Sequence, residues 1–522
     1  MKNPTLTNSI LTLLLLSHLT MDLQAQETIQ TTADARVRIE YEVIPLTDLK
    51  DMGVVGTHFD WYPSKSIPSL YAGLGFLNAV TGEEGGFFAF GYTLGFDYPI
   101  NNSLHTDIGI YVGGGSGSYI DFPNGGMIIR THAALAYKID NIDITAGISR
   151  TDFPGTRENQ ENQTSYHPYV GVNIATDIWS ETIDTNKSKS SFKKFDGIFE
   201  DIRISPTMLY YDVDNKVVKK SRYQAEEAYQ ENFPALGIEI DKFLTDEIFV
   251  SFETYGALSS AAGYAAIQAG LGYDYKLLDS LTWESKMVVG SAGDSRIDMG
   301  GGVILQPLTG LRVALTPNVS FKTLVGRTYA PTGLFSSTTY EAGLSFTTSH
   351  PVAKKGTYLF DSAAFNNIKW VMTPSIKFYS PHDSSHKESQ RESQKDISLV
   401  GITLAVPLND YVSLSGSTHW AMTGNVGSYA EGLFGIQLYS AAFTPLNIKA
   451  KLSAEAGAGA GAGINTESGG YVTQLTAGFT VPLSKHSALN AAVGEMQTSD
   501  GRFKAHTLVV GIDIHLNYLY KK

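Results

Sequence analysis

An all-β chain of antiparallel strands is what this sequence predicts, and three observations predict it. A block of about 150–170 residues is written three times. The segments inside each block alternate with period two. The connections between segments alternate between long and tight.

The repeat is visible as constant offsets. Gly95, Ile120-Asp121 and Arg150-Thr151 reappear 177 positions later as Gly272, Ile297-Asp298 and Arg327-Thr328. Pro206, Val325-Gly326 and Gly343 reappear 168 positions later as Pro374, Val493-Gly494 and Gly511. One supersecondary unit has been copied twice. The blocks cover 36–178, 199–347 and 367–520.

Each block parses into strand-length segments. In the middle block these are 203–211, 235–244, 247–257, 264–277, 281–293, 302–316, 319–329 and 338–347. Within 281–293, Trp283, Ser285, Met287 and Val289 oppose Thr282, Glu284, Lys286, Val288 and Gly290. Within 264–277, Ala265, Ile267, Ala269, Leu271, Tyr273 and Tyr275 oppose Tyr264, Ala266, Gln268, Gly270, Gly272 and Asp274. The first block keeps the phase, with Phe88, Phe90, Tyr92, Leu94, Phe96 and Tyr98 on one side, and so does the last, with Val510, Ile512, Ile514 and Leu516. Such a pattern belongs to strands with one apolar face.

Connections 152–164, 212–234, 258–263 and 380–396 are long or glycine-rich. Those at 99–102, 140–141, 278–280, 317–318 and 408–410 are tight and carry Asn, Asp, Pro and Ser, as hairpin turns do. The inter-block stretches 180–201 and 348–366 are polar and lysine-bearing, and read as linkers with a short helical turn.

Composition narrows the setting. The 522 residues contain 39 Lys and Arg against 52 Asp and Glu, a net charge of −13. That balance disfavours nucleic acid, whose phosphates require a basic surface. There is no cysteine, hence no disulfide framework and no thiolate chemistry. Residues 1–25 read as a signal peptide: Lys2, an apolar core from Ile10 to Leu16, and a cleavage point after Ala25, with Leu23 larger than the usual small residue.

A soluble sandwich would also alternate, but its outer face would be rich in Lys and Glu. Here the apolar set is Trp, Phe, Tyr, Leu, Ile and Val, and the opposite set is Gly, Ser, Thr, Ala and mixed charges. Aromatic residues gather at strand ends: Trp61, Tyr62, Phe96, Tyr98, Tyr273, Tyr275, Tyr518 and Tyr520. An apolar outer band, an aromatic girdle and a polar inside describe a transmembrane β-barrel. Closure satisfies every backbone amide in hydrocarbon, where each unpaired group costs several kcal/mol.

Each block resembles one eight-stranded outer-membrane barrel of Gram-negative bacteria, in length, loop asymmetry and strand spacing. Leu271-Gly272-Tyr273-Asp274-Tyr275 before a tight turn is similar to that family's strand ends. The final segment from Gly511 to Tyr520, with Ile514 and Leu516 alternating, resembles its C-terminal assembly signal, although the chain ends Tyr520-Lys521-Lys522 and not on an aromatic residue. The resemblance implies a bacterial cell outer membrane location, surrounding outer-membrane lipid and the barrel-assembly machinery as partners. It implies about 24 strands. These close either as one wide barrel or as three tandem small ones. Small inward residues of the last block (Ser413, Ser415, Ser417, Gly435, Ser453, Gly457, Gly459, Thr476, Gly478, Thr480) favour a single wide lumen, whereas the linkers favour separate units. The balance leans slightly to the wide barrel.

The candidate functional residues are the inward charges. In the middle block they are Glu239, Asp241, Glu253, Asp274, Glu284, Lys286, Arg312, Lys322 and Glu341. In the first they include His58, Asp60, Asp107, Arg130, His132 and Lys138. They read either as a pore lining that selects small solutes or as internal ion pairs closing a small barrel. The glycine run 457–463 sits in strand phase and lacks the strand-to-helix context of a phosphate loop. His382-Asp383-Ser384-Ser385-His386 reads as solvated loop, so no metal site is expected. Ile120-Asp121, Ile297-Asp298 and Ile464-Asn465 read as turn chemistry. No nucleophile–base pair has fixed spacing, so neither an enzyme nor a cofactor is expected. The leading expectation is a porin-like passive channel for small hydrophilic solutes. Behind it stand a non-conducting structural or adhesive barrel and, last, an outer-membrane hydrolase.

Overall fold

The computed structural model describes residues 32–521 apart from 47–49, 65, 83–84, 117–125, 140–141, 155–162, 180–189, 193–201, 215–217, 220–226, 229–230, 262–263, 294–296, 317, 349–357, 361–364, 383–395, 425, 427–428, 444, 461–463, 465–469, 485–486 and 500. The expected signal peptide, Asp121, His386 and Asn465 lie outside the described residues.

The strands form three closed eight-stranded antiparallel barrels, 24 barrel strands in all. In the first barrel, Thr32–Ile44, Met52–Trp61, Leu70–Thr81, Phe88–Pro99, Leu104–Ser116, Met127–Ile139, Ile142–Phe153 and Gln163–Trp179 pair in sequence order. Gln163–Trp179 then returns to Thr32–Ile44, with Val37 opposite Ile174. The second barrel runs from Ile202–Val213 to Ser336–Thr348 and closes with Leu209 opposite Glu341. The third runs from Phe365–Pro381 to Lys504–Lys521 and closes with Ile376 opposite Val510.

The all-β barrel expectation holds, but the preference for one wide barrel is corrected. A continuous sheet would pair the last strand of one repeat with the first strand of the next. Each last strand pairs instead with the first strand of its own repeat. The linkers let this happen, because they release each repeat from its neighbour's ladder. Most of both linkers, where a helical turn is expected, lies outside the described residues. Their described parts are extended, and Ser190–Phe192 pairs with Tyr358–Phe360 as a small two-stranded sheet.

The faces follow the predicted phase. In Leu281–Gly293, Trp283, Met287 and Val289 are 40–47% exposed, while Glu284, Lys286 and Val288 point inward and are buried. Leu135, Ile148, Leu271, Phe434, Leu475 and Val493 are likewise exposed outward. Apolar outside and charged inside is the architecture of a membrane-spanning outer-membrane barrel, the reverse of a protein folded in water.

Some outward residues are covered by another barrel. Phe88 and Phe90 of the first barrel are buried, with Phe88 6.4 Å from the Trp420 ring and Phe90 packed with Val400 and Met422 of the third. Tyr92 completes the contact through its hydroxyl. It accepts from the Ser375 amide at 2.7 Å and donates to the Gly401 carbonyl. Pro374 explains the opening. It has no N–H, and the ladder to Lys504–Lys521 skips from Met372 to Ser375. The first and second barrels touch through Ser291 Oγ, which donates to the Ala79 carbonyl at 2.6 Å, and through the Gly85 amide on the Gly300 carbonyl at 3.1 Å.

Candidate functional site: the barrel interiors

Alternation on neighbouring strands aims the inward charges of the second barrel at one another. Lys286 Nζ lies 2.5 Å from Glu253 and 3.0 Å from Glu341, and it also bonds Glu239. Lys322 Nζ lies 2.5 Å from Glu239 and 2.6 Å from Glu341. Ser251 and the Tyr255 hydroxyl both donate to Glu253 at 3.1 Å. Two ammonium groups thus sit among three carboxylates, and Glu239, Glu253 and Lys322 are 0% exposed. The three carboxylates could in principle hold a metal. The two lysines already occupy that place as cations.

Nearer the tight turns, Arg203 reaches Asp241 at 2.7 Å and Asp274 at 2.5 Å, and Arg312 pairs with Glu284. Arg203 also lies 4.5 Å over the Phe249 ring, which covers the inward-facing Gly272. A Cβ at Gly272 would fall 2.0 Å from that ring, so the glycine is required by the close approach. The first barrel repeats the device. Arg36 lies 4.3 Å over Tyr71, Tyr71 covers Gly95, and Arg36 bonds Asp60, Asp97 and Asp107 at 3.1, 3.1 and 2.7 Å. Asp97 and Asp107 are the positions that become Asp274 and Glu284 after 177 residues. Tyr62, just past a strand end, donates to Asp97 at 2.9 Å, and burial raises its phenol well above the ordinary value.

Arg130 and His132 of the first barrel are paired as well. Arg130 meets Glu42 at 2.9 Å and Glu40 at 3.0 Å. His132 meets Asp107 at 3.1 Å, and Tyr71 donates to that same carboxylate at 2.7 Å. His58 lies 3.6 Å from Glu40. Of the candidates singled out from sequence, all but Lys138 face inward and join local ion networks; Lys138 is exposed near the end of its strand. Sequence reasoning missed several partners: Arg36, Arg38, Glu40 and Glu42 on the first strand, Asp97, Arg203, and Lys377 with Glu431 in the third barrel. The first four alternate along Thr32–Ile44, which was a readable signal.

The third barrel corrects the inference from small side chains. Ser413, Ser415 and Ser417 do face inward, but they are buried at 2, 6 and 9% exposure. Lys377 Nζ lies 2.6 Å from Glu431, which also accepts from Tyr379 and Tyr429 at 2.7 and 2.8 Å. Gln474 and Ser415 donate to Glu455 at 3.2 Å. Tyr429 lies over Gly459, so large loop-side rings occupy the space that the small residues leave. Burial raises the Tyr429 phenol well above its usual value.

Above each ionic layer, on the long-loop side, sits an apolar cap. In the second barrel Tyr211, Phe233, Tyr264 and Phe335 stack with ring centroids 4.7–6.4 Å apart, among Leu209, Ile297, Met299 and Ile304. In the first barrel Met52, Val54, Leu77, Phe87, Tyr111 and Phe153 form the cap. In the third, Tyr379, Leu399, Val426, Tyr429, Met496 and Phe503 do so. Asp298 performs turn chemistry here, accepting from the Gly300 amide at 2.9 Å.

No protein-family model matches this chain, and no curated protein matches it. Among solved structures it is similar to the siderophore receptor PirA of Pseudomonas aeruginosa, at 7% identity over 94% of this chain and 81% of that one, with a TM-score of 0.28. PirA of Acinetobacter baumannii is similar at 9% identity, with the same coverage and a TM-score of 0.27. OpdQ of Pseudomonas aeruginosa is similar at 9% identity over 94% of this chain and 98% of that one, with a TM-score of 0.19. The barrel assignment rests on the strand pairing above.

Proposed function

We propose that this chain is a bacterial outer-membrane protein whose three barrels are closed to diffusing solutes. It serves as a membrane-anchored structural unit that presents its long loops at the cell surface. The observation carrying this reading is the double seal: a buried ionic layer beneath an apolar cap in each barrel. A water-filled lumen would leave Glu239, Glu253 and Lys322 wet, and a diffusing solute would have to cross the cap. Outward apolar faces support lipid as the surrounding medium, and the fold class supports delivery by the barrel-assembly machinery. The reading assigns no catalytic chemistry to the chain.

A second reading is transport of small hydrophilic solutes, favoured by the inward charges of both signs. It requires the caps to move. Planar-bilayer recording of the purified, folded chain separates the two. The structural reading expects a flat baseline at single-channel resolution. Regular conductance steps that change ion selectivity when Lys286 is replaced would overturn it and establish the channel.

A further inference from the structure

The second and third repeats carry the same three-strand corner at the loop-side rim, on the outward face. In the second repeat the Asp214 amide donates to the Ser336 carbonyl at 3.0 Å, and Arg327 stands opposite Thr338 in the ladder. In the third the His382 amide donates to the Lys504 carbonyl at 2.9 Å, and Glu495 stands opposite His506. Every one of these positions is displaced by 168 residues. The backbone is therefore conserved between the two corners, and only the side-chain chemistry differs.

In the second repeat the corner carries its own cation. Arg327 bonds Asp214 at 2.5 Å and Ser336 Oγ at 2.6 Å. In the third repeat the polarity is inverted. A carboxylate replaces the guanidinium, and imidazoles replace Asp214 and Thr338. His382 Nε2 lies 3.1 Å from one Glu495 oxygen, and His506 Nδ1 lies 2.6 Å from the other. The two rings are 4.3 Å apart, and one donor atom from each of the three residues falls within 4.8 Å of the others.

We propose that His382, Glu495 and His506 bind a divalent transition-metal ion of the zinc type. Two imidazole nitrogens and a carboxylate oxygen are a zinc donor set, and imidazole disfavours magnesium and calcium. The ligands come from two paired strands and from the residue that follows a third strand, hydrogen-bonded to it, so the backbone holds them in place. The Glu495 and His506 side chains are 53 and 68% exposed, which leaves the remaining coordination positions to water or to an external ligand. Lys504, two positions before His506 on the same strand, is the positive side chain nearest to the trio in sequence.

The test uses the full mature chain folded in detergent, titrated with cobalt chloride as a spectroscopic probe and then with zinc chloride. The proposal expects visible cobalt bands of a nitrogen-ligated site, saturating at one equivalent and bleached by zinc. His506→Ala and Glu495→Gln should each weaken binding at least about tenfold. The double variant His382→Asp with Glu495→Arg restores the acid and the guanidinium of the second-repeat corner and leaves one imidazole, His506, so it keeps an ion pair and the barrel while abolishing the bands. Barrel integrity is read from circular dichroism and heat-modifiable migration. Cobalt that stays in its aqueous form with the parent chain, showing only a histidine–carboxylate ion pair, overturns the proposal. So does binding that survives all three variants, which would place the ion elsewhere.

Discussion

Replacing Lys286 with Met probes the ionic layer of the second barrel. The variant keeps similar volume but removes one of two cations shared by Glu239, Glu253 and Glu341, leaving Lys322 alone with three carboxylates. All five groups are buried to 4% exposure or less. An exposed ion pair contributes only about 0–1 kcal/mol. Breaking a buried pair strands an uncompensated charge and costs about 3–5 kcal/mol. The loss should fall on the second barrel, because the layers of the other two do not touch Lys286. Five tryptophans make this measurable. Trp283 is the one on the second barrel's strands, so fluorotryptophan labelling should show its resonance lose structure at lower urea while the others hold. Adding Glu253→Gln should recover much of the loss, since it removes one stranded charge. A shift worth under about 1 kcal/mol would place Lys286 in water and refute the closed interior.

Other perturbations separate the remaining parts of the account. Gly272→Ala forces a Cβ into the Phe249 ring and should cost about 1–3 kcal/mol in urea unfolding, with Phe249→Leu restoring part of it. Leu271→Arg places a charge on the lipid face and should cost about 2–4 kcal/mol in refolding into vesicles if the residue lies at mid-bilayer. Cysteines at Phe88 and Trp420, introduced into a chain that has none, should be joined by a short bismaleimide in intact membranes. Tyr92→Phe should lower that crosslinking yield, because it removes the hydroxyl bridge to the backbone at Ser375 and Gly401.

The strand faces were legible in the sequence because period-two alternation is local. Trp283 and Met287 read as outward and Glu284 and Lys286 as inward, and the ladder places them so. Barrel number was not legible. Closure depends on whether Gln163–Trp179 pairs with Thr32–Ile44 or with Ile202–Val213, and either choice leaves each strand's own pattern unchanged. Phe88 and Phe90 show a related limit. Lipid and the outer face of another barrel make the same demand on a side chain, so the covered and the lipid-facing aromatics look alike. The inward charges were visible, but their pairing was not, because Lys286 meets Glu239 and Glu341 only once the sheet has curled. The serines of the third barrel suggested a lumen because the rings that occupy it, Tyr379 and Tyr429, lie at the strand ends or beyond them.

Direct imaging of the folded chain in lipid nanodiscs tests the separate closure of the repeats most directly. Viewed along the membrane normal, the account predicts three small, filled rings within one particle, with the first in contact with the other two. A single wide ring around an empty centre would contradict it.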